Sequence, residues 1–261
     1  MAYKVWIHRL PFNLSREIGW RLSAPLTFSL FFGAGIQLSC AAANSQFVSA
    51  PTQKQRRITA QGKFDEGLAL HKQGRAESAR LAVKKYEEAL QLWRAVDDRH
   101  QEALTLSAIG SVYNLLGEKR KELEFYTQAL PLWRALDNSR GEAVTLYAIG
   151  SVYNSLDEKQ KALEFYNQAL PLQRAVGDRS GEVATLNNIG YVYNSLGQKR
   201  KALEFYTQAL PLLRAVGDRR VDATTLNNIG EVYDSLGEKR KALDYYNRAA
   251  LIQRAIRDPR N

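Results

Sequence analysis

Residues 185–215 read TLNNIGYVYNSLGQKRKALEFYTQALPLLRA, and the same pattern stands forty residues before them and forty after. Gly110, Gly150, Gly190 and Gly230 mark the register, as do Tyr113, Tyr153, Tyr193 and Tyr233. Arg134, Arg174, Arg214 and Arg254 close each copy. Self-similarity at such a period means a stacked array, because one unit cannot bury its apolar face alone.

Working outward, each unit reads as two antiparallel helices. The first is expected near 101–116, 141–156, 181–196 and 221–236. Leu106, Ile109, Gly110, Tyr113 and Leu116 recur at three- and four-residue steps and make one apolar face. Asp98, Asn138, Asp178 and Asp218 stand where they can cap the free N–H groups. Gly117, Gly197 and Gly237 stop the helix; Asp157 in their place predicts a strained turn.

The second helix is expected near 119–136, 159–176, 199–216 and 239–257, with Leu123, Tyr126, Ala129 and Leu130 buried. Pro131, Pro171 and Pro211 should bend it without breaking it. Glu122 stands where other units have Ala162, Ala202 and Ala242, and predicts looser packing.

A divergent unit precedes these, with Gly67 and Gly74 at the spacing of Gly110 and Gly117. Three extra residues within 75–81 lengthen its second helix. The expected fold is an all-α solenoid of five helix pairs over 55–97, 98–137, 138–177, 178–217 and 218–257, with a tail at 258–261.

The amino end differs. Lys4, Arg9, Arg16 and Arg21 precede an uncharged run, and 24–38 (APLTFSLFFGAGIQL) suits a signal-peptide core better than a spanning helix, which needs roughly twenty residues. Ala41-x-Ala43 suits cleavage, so 1–43 reads as a leader and 44–54 as a linker. The chain is then exported, to a periplasm or the outside. Lipidation at Cys40 is a second reading, weakened by Gln37 three residues before it. An uncleaved segment, leaving the chain membrane-associated or cytoplasmic, is a third.

The net charge is +10, of which +7 remains after residue 43. Cys40 is the single cysteine, so no internal disulfide is possible. His8, His71 and His100 have no second ligand at metal spacing. The serines recur with the repeat and have no histidine partner, and no glycine-rich phosphate loop follows a strand. The pattern supports no catalytic centre, no cofactor and no small-molecule substrate.

Gly150, Tyr153, Gly197, Ala202, Tyr206 and Ala209 together resemble the tetratricopeptide repeat. The forty-residue period is similar to the longer-helix subclass of Pins/LGN-type adaptors and kinesin light chains, and to tandem arrays of cyanobacteria that often precede a CHAT domain. The resemblance implies a right-handed superhelix whose first helices line a concave groove for a protein or peptide segment.

Carried onto this chain, the groove begins at Phe64, Leu68, His71 and Lys72. It continues through Ser107, Ser111 and Asn114, then Tyr147, Ser151 and Asn154. Asn187, Asn188, Tyr191 and Asn194 follow, then Asn227, Asn228, Glu231 and Asp234. Asparagine amides can pair with a peptide backbone whatever its sequence. Asn114, Asn154 and Asn194 can also bond neighbouring backbone, and Tyr147 and Tyr191 can serve packing as well as anchoring.

The expected function is a non-enzymatic interaction scaffold. The alternative is the recognition half of a split or truncated array-protease system of CHAT type, with catalysis on another chain. Nucleic-acid binding by the runs Lys119-Arg120-Lys121, Lys199-Arg200-Lys201 and Lys239-Arg240-Lys241 is disfavoured, because nearby glutamates balance them. Exposed apolar surface around Leu236, Leu243 and Ile252 is expected to favour self-association.

Overall fold

The computed structural model describes residues 51–257. The leader, cleavage near Ala43, Cys40 and the tail lie outside the described residues. Within them stand α1 (Gln53–His71), α2 (Ala76–Ala95), α3 (Arg99–Leu116), α4 (Lys119–Ala135) and α5 (Ser139–Ser155). Then come α6 (Lys159–Ala175), α7 (Arg179–Ser195), α8 (Lys199–Val216), α9 (Arg219–Ser235) and α10 (Lys239–Arg257). There is no strand among the described residues, and no helix long and apolar enough to cross a membrane.

Five pairs result: α1–α2, α3–α4, α5–α6, α7–α8 and α9–α10. Each helix packs on the one before and the one after it. First helices of neighbouring units also touch, α5 with α7 and α7 with α9. They therefore lie on the tighter side of the stack.

The capping residues act as expected. Asp98, Asn138 and Asp178 accept from the backbone N–H of Gln101, Gly141 and Gly181 at 3.2, 2.8 and 3.0 Å. Because these caps stand directly before the first turn, the first helices start at residues 99, 139, 179 and 219, two residues earlier than the apolar pattern suggests. At the other end Gly117, Gly197 and Gly237 are left-handed, and Asp157 holds the same conformation at φ 64°. Asp97 and Asp137 are left-handed too, at the ends of α2 and α4.

Each pair is locked by a glycine and a tyrosine. A Cβ built on Gly110, Gly150, Gly190 or Gly230 would fall 2.7–2.8 Å from the ring of Tyr126, Tyr166, Tyr206 or Tyr246. Gly67 and Tyr86 repeat this in the first unit. Only a residue without a side chain admits the ring, so the signature glycine sets the distance between the two helices.

Prolines 131, 171 and 211 do not break α4, α6 and α8. They sit on the exposed side, as do residues 127, 167 and 207, whose carbonyls lose their partner to proline. Water can satisfy those carbonyls. The looser packing expected at Glu122 is not found. Glu122 is buried, with its carboxylate held by Asn114 Nδ2 at 2.7 Å and Lys119 Nζ at 2.8 Å. A buried carboxylate persists where it is both paired and hydrogen-bonded.

Candidate functional site

Along each first helix the rows 107/147/187/227, 108/148/188/228 and 111/151/191/231 repeat at steps of one and three, sharing a face. All are half-buried or exposed, while Leu, Ile and Val between them are buried. The face is therefore the partly open side of the first helices, with Ala108, Tyr147 and Ala148 packed against the core beneath it.

Two hydrogen bonds cross it from helix to helix. Asn188 Nδ2 donates to the Tyr147 hydroxyl at 3.1 Å, joining α7 to α5. Thr225 Oγ1 donates to Asn187 Oδ1 at 3.1 Å, joining α9 to α7. Asn188 keeps its carbonyl and one N–H, and Asn187 keeps its NH₂ group. Asn227 and Asn228 are half-buried and make no side-chain hydrogen bond among the described residues. The amides are thus concentrated on α7 and α9.

The row at 114/154/194/234 is engaged within its own unit. Asn114 binds Glu122, while Asn154 and Asn194 accept from Lys159 and Lys199 at 2.8 and 2.6 Å. Asp234 accepts from Lys239 at 2.6 Å. These residues tie the end of a first helix to the start of the second.

The serines face inward in part. Ser107 Oγ accepts from Trp133 Nε1 at 3.2 Å, and Ser151 Oγ accepts from the Tyr166 hydroxyl at 3.2 Å. Tyr126 pairs likewise with Ser111. Tyr191 replaces serine in the fourth unit and is 49% exposed, with Lys159 Nζ 5.7 Å from its ring centroid. Glu231, exposed, has no ion pair among the described residues.

At the other end His71 is buried, which pushes its pKa below the usual value, and Lys72 is the exposed C-cap of α1. Phe64 packs on Tyr86 with ring centroids 5.2 Å apart, and Leu68 is half-buried.

Two buried tyrosine hydroxyls, on Tyr86 and Tyr206, have no hydrogen-bond partner among the described residues. Each belongs to a unit whose serine is replaced, by Leu68 and by Tyr191. Burial pushes both phenols above the usual range. The cost of the exposed Tyr191 is therefore visible beneath it. The sequence signal was the loss of serine directly after the signature glycine.

The basic runs are largely spoken for. Lys121, Lys161, Lys201 and Lys241 each sit 5.1–5.2 Å over Tyr113, Tyr153, Tyr193 and Tyr233. Three of them also bind Glu118, Glu158 and Glu238 at 2.6–2.7 Å. The tyrosines stack on Phe125, Phe165, Phe205 and Tyr245 in turn. Both faces of each tyrosine ring are thus covered, one by a lysine and one by an aromatic ring.

A family model described as "Tetratricopeptide repeat" matches residues 66–135, 123–175, 141–215 and 181–255. No curated protein matches the chain. Among solved structures the chain is similar to BtubC (BKLC) from P. vanneervenii, at 21% identity and TM-score 0.61, covering 80% of this chain and 94% of that one. It is similar to a Podospora anserina putative kinesin light chain with nearly identical TPR-like repeats, at 13% and 0.63, covering 74% and 95%. A Rap protein complexed with Competence and Sporulation Factor is similar at 19% and 0.61, covering 77% of this chain and 56% of that one. At these identities the likeness concerns the fold.

Proposed function

The chain belongs to the tetratricopeptide-repeat family, and we propose that it is a scaffold that binds a protein segment along its first helices. The repeats of this family are typically non-catalytic interaction modules. The observation that carries the reading is the cluster of amides on α7 and α9. Asn227 and Asn228 are half-buried with unfilled hydrogen-bonding capacity, beside Asn188 and the exposed ring of Tyr191.

An extended segment laid across α7 and α9 would pair its backbone with these amides, whatever its side chains. Tyr191 would supply a rigid contact of large area at low entropic cost. Glu231 would favour a segment carrying positive charge at that end. A similar Rap protein is complexed with Competence and Sporulation Factor, which supports a binding role for this fold.

Peptide selection against the purified chain tests the reading. Selected segments should lose at least tenfold in affinity in Asn188→Ala/Asn228→Ala, with circular dichroism unchanged. Full retention of binding would remove the first-helix face from consideration. Export with cleavage near Ala43 belongs to the same proposal, and the mass of the chain recovered from cells tests it.

A further inference from the structure

One arginine of α2, of α4 and of α6 fastens its unit to the next. Arg94 Nε donates to Glu102 Oε1 at 2.6 Å, Arg134 to Glu142 at 2.7 Å, and Arg174 to Glu182 at 2.6 Å. In the second and third joints Nη2 also donates to Gln168 and Gln208 on the following second helix, at 3.3 and 3.4 Å.

The fourth joint lacks both contacts. Asp222 stands in the glutamate's place, one methylene shorter, and Arg248 stands in the glutamine's. No ion pair within 4.0 Å joins Arg214 to Asp222 among the described residues. Arg248 offers only donors, and its charge repels Arg214. Its own ion pair, with Asp244, is long at 3.7 Å.

The backbone records the same loosening. At the first three joints the N–H of Asp98, Asn138 and Asp178 closes on the carbonyl of Trp93, Trp133 and Gln173 at 2.9–3.0 Å. At the fourth that bond gives way to Gly217 N–H donating to Leu213 at 2.9 Å, and α8 runs one residue further than α4 and α6. A cleft of about 310 Å³ opens between α8, α9 and α10, walled by Leu210, Leu226, Leu251 and Ile252 with both arginines on its lining.

We propose that this cleft docks an acidic, apolar segment of a partner protein, whose glutamate takes the place that Glu102, Glu142 and Glu182 hold at the other joints. The charge favours an anion, since Arg214 and Arg248 line the cleft against the single carboxylate of Asp222, and Arg248 keeps only its long pair with Asp244. The walls require apolar neighbours, since Leu251 is 63% exposed. The dimensions admit a few side chains. The site lies on the second-helix side of the joint and is independent of the face proposed for Asn188 and Asn228.

Libraries of octapeptides with a central Glu between apolar residues, or Gln in its place, test this against the full chain by fluorescence anisotropy. The Glu pools should bind at least tenfold tighter than the Gln pools. Binding should vanish in Arg214→Gln, and in Asp222→Glu/Arg248→Gln, which rebuilds the joint as in the preceding unit and keeps the chain folded. It should survive in Asn188→Ala/Asn228→Ala. Equal binding of Glu and Gln pools, no enrichment of any Glu pool, or undiminished binding to the rebuilt joint would overturn the proposal. So would octanoate binding as tightly as the peptides, which would make this a site for free carboxylates.

Discussion

The Tyr166 hydroxyl donates to Ser151 Oγ at 3.2 Å, spanning the two helices of one unit. In the next unit Tyr191 stands where that serine would be, and the buried hydroxyl of Tyr206 has no partner among the described residues. Tyr191→Ser should return the bond and raise stability by about 0.5–1.5 kcal/mol. Urea unfolding gives that figure. In parallel, segments selected on the wild type should bind the variant more weakly, since the exposed ring is gone. A variant neither more stable nor weaker in binding would separate Tyr191 from both roles.

The glycine at the helix crossing is a steric requirement. Gly190→Ala places a methyl 2.7 Å from the Tyr206 ring and should cost about 2 kcal/mol. Gly62 lies in α1 with nothing within 4 Å of its absent Cβ. Gly62→Ala should therefore stabilise, by up to about 1 kcal/mol. The two midpoints in urea should move in opposite directions.

Asp157 holds φ 64° where its counterparts Gly117, Gly197 and Gly237 hold 72–78°. Asp157→Gly should relieve about 1 kcal/mol of backbone strain, because the ion pair it gives up with Lys159 is long and the aspartate is 90% exposed. Calorimetry should show a higher Tm. A lower one would mean that aspartate bears this conformation without cost.

The joints should differ in a measurable way. A double-mutant cycle on Arg174 and Glu182 should give about 0.3–1 kcal/mol, small because Arg174 is 49% exposed. The same cycle on Arg214 and Asp222 should give a coupling near zero. Hydrogen exchange should then find α9 and α10 opening before the units that precede them.

His71 supplies a pH dependence. Burial lowers its pKa in the folded chain from the ordinary 6.5. The unfolded chain binds more protons between the folded value and 6.5, so stability is full above 6.5 and falls as the pH drops through that window. His71→Asn, with the residue found at 114, 154 and 194, should abolish this component. The difference between wild-type and variant urea midpoints at pH 5, 6 and 7.5 should vary with pH; a constant difference would remove His71 as its source.

The period and the glycine, tyrosine and alanine positions made five helix pairs legible, because each such residue has one steric role in every copy. The site was legible as a face but not residue by residue. Asn114, Asn154 and Asn194 share a row with no partner in their own helix, and the lysine or glutamate that engages them lies across the turn. Glu122 looked like a packing defect until its partners were seen. The pairing of Arg134 with Glu142, eight residues apart, was present in the letters as a charge pattern, broken by Asp222. Charges outside an apolar stripe carry no such signal, because in sequence they are indistinguishable from solvated surface.

The glycine–tyrosine lock lies inside a unit, and the arginine–glutamate clasp lies between units, always in the same orientation. Excision of residues 138–177 would set Arg134 opposite Glu182, with Gln208 beyond it, and would leave every lock whole. Recombination in steps of forty codons therefore changes the reach of the array without redesigning a single interface. A lineage can lengthen or shorten this chain by copying, and needs point substitution only to give one joint a character of its own.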